Sequence, residues 1–211
     1  APASRSDRHG AHMKPQIAIA LAAAVAYVAY QHAGAVATIR SIRGAREAVK
    51  LGRVSPAPPI PEHITKPAWY YGYAPPSRSR VEVHDSEGIR RMRAAGRLAS
   101  RLLELAGEMV APGVTTDAIS AAVHQHAVEA GAYPSPLRYK GFPKSICTSV
   151  NEVVCHGIPD DRPLCDGDIV NVDLTIMLDG VHADTSATFA VGQISKEAAD
   201  LLAAAEEALL A

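Results

Sequence analysis

The sequence predicts a mixed α/β (α+β) domain built from antiparallel hairpins and packed helices. Of the 211 residues, 48% are hydrophobic and 20% are charged, which supplies a core and excludes a wholly disordered chain. Amphipathic helical patterns occupy the stretch from residue 85 to residue 131. Farther along, two β-rich runs flank Asp179-Gly180, a pair that two-residue hairpin turns prefer.

Charge is unevenly distributed along the chain. Residues 1–60 hold eight Lys and Arg and two acids, which leaves 13 of the 21 basic and 20 of the 22 acidic residues for 61–211. The two parts therefore carry formal charges of +6 and −7, and the total of −1 gives no case for a nucleic-acid partner. The Pro-rich run 55–61 is typical of an extended linker. We predict a leader and linker over 1–69 and a folded domain over 70–211.

The leader has the composition of a targeting segment. Residues 17–39 are uncharged and rich in Ala, and an Arg-dotted stretch follows them. A membrane span needs roughly 20 apolar residues, a length reached here only by including polar residues, so a membrane tether is the less favoured alternative. Basic, acid-poor, Ala-rich sequence is more typical of an organellar transit peptide, and a secretory signal is a third option. The three cysteines form no CxxC pair and favour a reducing compartment.

The first predicted helix begins near residue 85. Asp85 or Ser86 can serve as its N-cap. Apolar residues then recur at three- and four-residue steps, beginning with Ile89 and Met92 and ending with Met109. The breaker Ala111-Pro-Gly113 predicts where this helix ends.

A second predicted helix follows the breaker. Thr116 and Asp117 mark its start, and Gly131 is a suitable residue just beyond its end. We expect the two helices to pack against a sheet. His124 and His126 are predicted on the solvent-facing side of this second helix.

Loop and β-rich sequence follows the helices. Prolines, aromatics and glycines dominate residues 133–143, which predicts a loop. Short β-like runs at 145–150 and 153–156 flank Asn151-Glu152 and suggest a tight hairpin.

The hairpin around Asp179-Gly180 places two carboxylates on one face. With those residues as the turn, Asp173 lies opposite Ser186, and Asp184 lies opposite Thr175. The two aspartates are then diagonal neighbours, roughly 7–8 Å apart between backbones. Such a pair could hold two divalent ions about 3.5–4 Å apart. Spacing alone leaves open the alternative of an ordinary solvated face.

Three stretches together resemble a known family. They are 141–160 (GFPKSICTSVNEVVCHGIPD), 168–175 (DIVNVDLT) and 182–186 (HADTS). Together they closely resemble type 1 methionine aminopeptidases, and most of all the organellar, mitochondrial-type members, over roughly residues 65–211. The resemblance implies a pita-bread α/β fold around a dinuclear metal centre, with this chain as its N-terminal half.

The resemblance also implies roles for individual residues. Asp173 and Asp184 match metal ligands for two divalent ions, with Co, Mn, Fe and Zn all open. His156 matches a catalytic, substrate-contacting histidine that is not a ligand, and His182 falls at a non-ligand position. The other substrate-binding residues match the pocket for the methionine side chain: Tyr139, Phe142 and Cys147.

The implied function is metal-dependent hydrolytic removal of the N-terminal methionine from nascent or imported proteins. A hydroxide held by the metals attacks the first peptide carbonyl, and small second residues are expected to be preferred. The expected partners are N-terminal methionine peptides and nascent proteins, with a link to the ribosome or organellar translation. The expected location is the mitochondrion, with plastid and cytoplasm as alternatives.

Two local departures from the family pattern occur near the predicted site. Arg138 stands where the family usually has glycine, and we expect it to crowd the edge of the pocket. Ala183 replaces the more usual glycine before Asp184, which we expect to be a mild change.

The resemblance implies three further ligands, a histidine and two glutamates, beyond this half. No histidine follows His182, and Glu197, Glu206 and Glu207 are predicted on the solvated face of a terminal helix over 195–211. We therefore expect an incomplete catalytic domain that is inactive alone. The alternative from another class is a non-catalytic half-fold that binds nascent chains or a partner protein, which predicts a large exposed apolar face.

Overall fold

A four-stranded sheet and three helices make up the part of the chain that the computed structural model describes, residues 48–74 and 83–211. The predicted leader segment 17–39 lies outside these residues. Within them, no helix combines the length and apolar character needed to cross a membrane. The helices are α1 (Ser86–Met109), α2 (Thr116–Glu129) and α3 (Lys196–Leu210), and the strands are β1 (Tyr133–Pro134), β2 (Cys147–Val150), β3 (Ile169–Leu178) and β4 (Val181–Ala190).

The helix boundaries confirm the predicted starts. The Asp85 side chain caps α1 by accepting a hydrogen bond from the backbone N–H of Gly88 at 2.8 Å. Helix α2 begins at Thr116 as predicted, and the Thr115 side chain caps it by accepting a hydrogen bond from the backbone N–H of Ala118. The apolar stripe of α1 begins later than predicted, because Ile89 and Met92 remain 42% and 41% exposed.

Strand β3 is the centre of the sheet. Strand β4 pairs along one edge of it, while β1 and β2 follow one another along the opposite edge, all antiparallel to β3. Asp179 and Gly180 form the β3–β4 turn with φ angles of 49° and 76°, the two positive values that a type I′ turn requires. The register pairs Asp173 with Ser186 and Thr175 with Asp184, as predicted.

The two faces of the sheet have different surroundings. Alternate residues of β3 are fully buried and pack with α1 and α2 in the main core: Val170, Val172, Leu174 and Ile176. Because side chains alternate between faces along a strand, the residues between them, Asp173 among them, lie on the other face. We call this second surface the carboxylate face.

The predicted hairpin around Asn151-Glu152 is wrong. Strand β2 pairs with β3, and residues 153–156 form no strand. The backbone at Asn151 and at His156 adopts φ of 52°, which turns the chain out of an extended path. Instead, β2 forms antiparallel backbone pairs with the ten-residue strand β3.

The segment 49–73 lies across the domain, and we call it the N-terminal strap. Ile60 and Ile64 are buried in a second apolar cluster with Tyr133, Leu137 and Met177. The Pro-rich stretch that the sequence assigned to a linker therefore belongs to the compact unit Val49–Ala211.

A buried lysine side chain anchors the strap at a second point, nearer its N-terminal end. The Lys144 side chain is only 3% exposed, and its ammonium group donates to Ser55 Oγ at 2.6 Å and pairs with the Asp117 carboxylate. This contact joins the strap to the first turn of α2. A buried lysine is stable only with such partners.

The prediction that His124 faces solvent is wrong, whereas His126 is exposed as predicted. The His124 ring is buried between the strap and the domain, with Nε2 3.1 Å from the carbonyl oxygen of Pro59 and Nδ1 2.8 Å from Ser145 Oγ. Because a carbonyl only accepts, Nε2 carries the proton and Nδ1 accepts from the hydroxyl. The strap therefore buries the His124 ring, which helical periodicity alone predicted to be exposed to solvent.

This histidine predicts a pH-dependent stability. Burial lowers the pKa of His124 below its ordinary 6.5, partly offset by its bond to Pro59. The unfolded chain therefore binds a proton more readily than the folded one, so the free energy of unfolding should fall as pH drops below 6.5. Urea unfolding at pH 8 and pH 5.5 measures this loss, and His124→Gln should reduce it. An unchanged pH dependence in that variant would contradict the assignment.

Candidate functional site

A cavity of about 1110 Å³ opens on the carboxylate face. Its walls come from β3, β4, the loops on either side of β2, and the strap. The six side chains that the sequence singled out all line it: Tyr139, Phe142, Cys147, His156, Asp173 and Asp184. Residues spread over 46 positions of sequence are thus brought to one place by the pairing of β2 with β3 and of β3 with β4.

The two aspartates lie in unequal surroundings. Asp173 is half-buried, and burial followed by the nearby charge of Asp184 raises its pKa, against a smaller opposing effect of His156. Asp184 is exposed to the cavity and accepts a hydrogen bond from Thr175 Oγ1 at 2.6 Å. A cation between the carboxylates would offset both the cost of burying the Asp173 charge and its repulsion by Asp184.

The donor set fits part of a divalent metal centre. Carboxylate oxygens on one rigid sheet face suit metals such as Mn²⁺, and two of them can serve a pair of ions. Among residues 48–74 and 83–211, no group of three or more His, Cys, Asp or Glu side chains is placed to hold a metal. The described residues therefore offer two ligand positions and not a full shell.

The loop before β2 supplies an aromatic wall. A short 3₁₀ turn, Tyr139–Gly141, presents the Tyr139 ring, and the N–H of Phe142 donates to the Tyr139 carbonyl at 2.9 Å. Cys147 lies at the start of β2, directly opposite Asp173. Burial, and then the Asp173 charge, raise the pKa of the Cys147 thiol to about 12. The thiol is therefore a neutral apolar wall and not a nucleophile.

His156 is held beside β2 by its neighbour. Gly157 donates its N–H to Ser149 Oγ at 3.1 Å, and its carbonyl accepts from Thr148 N–H at 2.8 Å. His156 itself has φ of 52°, a conformation that histidine adopts more readily than most residues. These contacts place an exposed imidazole at the mouth of the cavity.

The strap contributes residues to the site that no sequence pattern indicated. Pro67, Ala68 and Trp69 line the same cavity. The Trp69 ring stacks on His182 at 5.6 Å between centroids and meets Tyr139 edge-on at 5.3 Å. In the sequence, this segment shows only a single tryptophan near prolines. Such a pattern does not indicate which part of the domain the strap packs against.

Both local departures from the family pattern are accommodated. Arg138 has φ of 64°, a conformation that favours glycine, and its guanidinium lies 4.2 Å above the Tyr70 ring. It does not line the cavity, so the expectation of crowding is wrong. Ala183 packs against the main core, on the sheet face opposite the aspartates.

Comparison with known proteins agrees with the fold. The sequence pattern of metallopeptidase family M24 matches residues 90–211. The chain is 55% identical over 169 residues to a chloroplastic/mitochondrial methionine aminopeptidase 1D of Arabidopsis thaliana, covering 80% of this chain and 48% of that protein. It is 50% identical over 177 residues to the mitochondrial methionine aminopeptidase 1D of Dictyostelium discoideum, covering 82% and 44%.

Solved structures lead to the same family. The methionine aminopeptidase of Rickettsia prowazekii is 44% identical with a TM-score of 0.61, over 62% of this chain and 53% of that one. The enzyme of Thermotoga maritima is 26% identical with a TM-score of 0.59, over 61% and 52%. The likeness confirms the pita-bread α/β fold, and the chain spans about half the length of the proteins it matches. With its family pattern over more than half of its residues, the chain belongs to metallopeptidase family M24.

Proposed function

We propose that the protein removes the N-terminal methionine from peptides and nascent proteins, with a divalent metal centre held in part by Asp173 and Asp184. The observation that supports this most is that one cavity is lined by all six side chains to which the resemblance to type 1 methionine aminopeptidases gives roles at the metal, the methionine or the scissile amide. Methionine aminopeptidases of this family are in general dinuclear divalent-metal enzymes. The carboxylate pair is the part of such a centre that these residues supply.

The cavity offers a suitable pocket for a methionine side chain. Tyr139, Phe142 and Cys147 present aromatic and thiol surfaces, which match the polarisable thioether. The protonated thiol of Cys147 adds no charge to this wall. A polar or charged first side chain would lose its hydration here without gaining partners.

The remaining residues orient and polarise the substrate. A bound metal pair would supply an activated water and an electrophilic contact to the carbonyl. Thr175 fixes the Asp184 carboxylate through its hydroxyl, which holds that ligand in one rotamer. The His156 imidazole, at the mouth of the cavity, donates a hydrogen bond to the scissile amide.

An organellar location accompanies this proposal. Several relatives are named for the mitochondrion or chloroplast, which supports the transit-peptide interpretation of the leader. Three finer points stay predictions: the preference for substrates with a small second residue, the choice among Co, Mn, Fe and Zn, and a link to the ribosome.

Release of free methionine from Met-Ala-Ser by the full-length protein tests the proposal. We expect turnover with Mn²⁺ or Co²⁺ and its loss on chelation. His156→Asn retains a residue suited to positive φ, so it should keep metal binding while lowering kcat at least ~100-fold. Cys155→Ser, at the exposed neighbouring position, is the matched control and should leave kcat unchanged. Full activity of His156→Asn would contradict the assigned role.

The same assay decides the non-catalytic alternative. That alternative predicted an exposed apolar face, and α3 does leave Leu201, Leu209 and Leu210 exposed. An enzyme whose fold is completed by further residues would also leave this face exposed in residues 48–211. The exposed leucines therefore do not distinguish the enzyme from the non-catalytic alternative. Peptide binding without methionine release in the metal-loaded full-length protein would favour the alternative.

A further inference from the structure

The strap borders the cavity through Pro67, Ala68 and the Trp69 ring. Cavity residues His182 and Asp184 are two apart on β4 and share the carboxylate face. Met177, opposite His182, is buried beneath the strap in the second apolar cluster. The strap therefore covers this face on the side nearer the β3–β4 turn, and Trp69 contributes an aromatic ring to the cavity.

The Trp69 ring is fixed in place by the residues around it. The 3₁₀ turn Ala68–Tyr71 ends at Gly72, whose φ of 83° lets its N–H return to the Trp69 carbonyl at 3.0 Å. The next side chain, Tyr70, packs edge-on against buried Tyr133 and under the Arg138 guanidinium. Tyr70 thus anchors the turn to the domain while Trp69 faces the cavity.

The indole has a further property that core packing does not explain. Its Nε1–H is buried and has no hydrogen-bond acceptor among the described residues. Buried tryptophans usually satisfy this donor. The ring is thus held by its faces and edges, against Tyr139 and His182, at the expense of an unmade hydrogen bond.

We propose that Trp69 is a specificity-determining residue that contacts the second residue of the substrate and limits its size. This inference rests on the proposed function. Two residues along a strand span roughly 7 Å, so His182, on which the Trp69 ring stacks, lies about that far along β4 from Asp184. A peptide whose first carbonyl lies at the carboxylates brings its second side chain within that distance. Tyr139, which borders the methionine pocket, contacts the same ring and connects the two subsites.

Cleavage of two peptides by the full-length, metal-loaded protein tests this role. Met-Ala-Ser and Met-Leu-Ser differ only in the second side chain. Trp69→Ala should raise the ratio of kcat/KM for Met-Leu-Ser over Met-Ala-Ser at least about tenfold, the lower end of what a change of methylene size in a pocket produces. Trp69→Phe, which keeps an aromatic ring and the fold, should shift the ratio in the same direction by less.

Tyr71→Ala is the matched control. Tyr71 lies in the same turn, is 63% exposed and does not line the cavity, so its loss should leave the ratio unchanged. An unchanged ratio in both Trp69 variants, with wild-type protein that cleaves Met-Ala-Ser, overturns the inference alone. Wild-type protein that releases no methionine overturns the proposed function and the inference together.

Discussion

Replacing Asp184 should abolish methionine release. Asp184→Ala removes one of two carboxylates on the carboxylate face and leaves Asp173 as a lone, half-buried ligand. Loss of groups that only support metal ligands costs 10–100-fold in metal affinity or activity, so loss of a ligand itself should lower kcat by more than ~100-fold. The same variant should bind Mn²⁺ more weakly in calorimetric titration of the full-length protein.

Two further variants separate metal binding from folding. Asp184→Asn keeps an oxygen that can accept from Thr175 Oγ1, so the strand should remain intact while the charge is lost. Asp179→Asn, in the turn of the same hairpin, removes an equal charge at a position where Asn tolerates positive φ. We expect the first to be inactive and the second fully active. Normal Mn²⁺ affinity and turnover in Asp184→Asn would refute the ligand assignment.

Gly157→Ala should produce the largest loss of stability. A Cβ at this position would lie 2.1 Å from the backbone oxygen of Thr148 and 3.0 Å from the Cα of Ser149. Backbone atoms of a paired strand cannot move aside as a flexible side chain can. The segment must therefore leave β2, with the loss of its two hydrogen bonds to Thr148 and Ser149, at a cost of about 2–3 kcal/mol.

This displacement should also reach His156. Since Gly157 holds the imidazole beside β2, Gly157→Ala should lower kcat for Met-Ala-Ser as well as the urea midpoint. Gly96→Ala, in α1, is the control because its Cβ meets nothing within 4 Å and the helix gains a better helix former. It should be neutral or stabilising by up to about 1 kcal/mol. Equal stability of the two variants would show that the tight contact at Gly157 is not maintained in solution.

The hairpin shows how far local sequence determines structure here. Its register depends on a two-residue turn and on a side-chain period of two, and both are properties of adjacent residues. Asp173 and Asp184 could therefore be placed on one face from the sequence, and the family pattern then connected them with a metal centre. The helix starts at Asp85 and near Thr116 were predictable for the same reason, since a capping side chain bonds within its own turn.

Contacts between distant segments could not be predicted in this way. The local sequence predicted a hairpin at Asn151, whereas β2 pairs with β3, about twenty residues farther along the chain. The burial of His124 depends on a strap more than 60 residues earlier in the chain. Helical periodicity shows which residues share a face of the helix, but not which remote segment packs on that face.

The sequence by itself therefore determined the hairpin, the helix starts and the set of residues expected at the site. Tertiary structure alone decided that the Pro-rich strap packs on the domain and brings Trp69 against Tyr139 and His182. The physical reason is that burial of Ile60 and Ile64 against Tyr133 and Met177 stabilises a contact between remote segments. That stabilisation is non-directional and proportional to the apolar area removed from water, so no local pattern encodes which partner it finds.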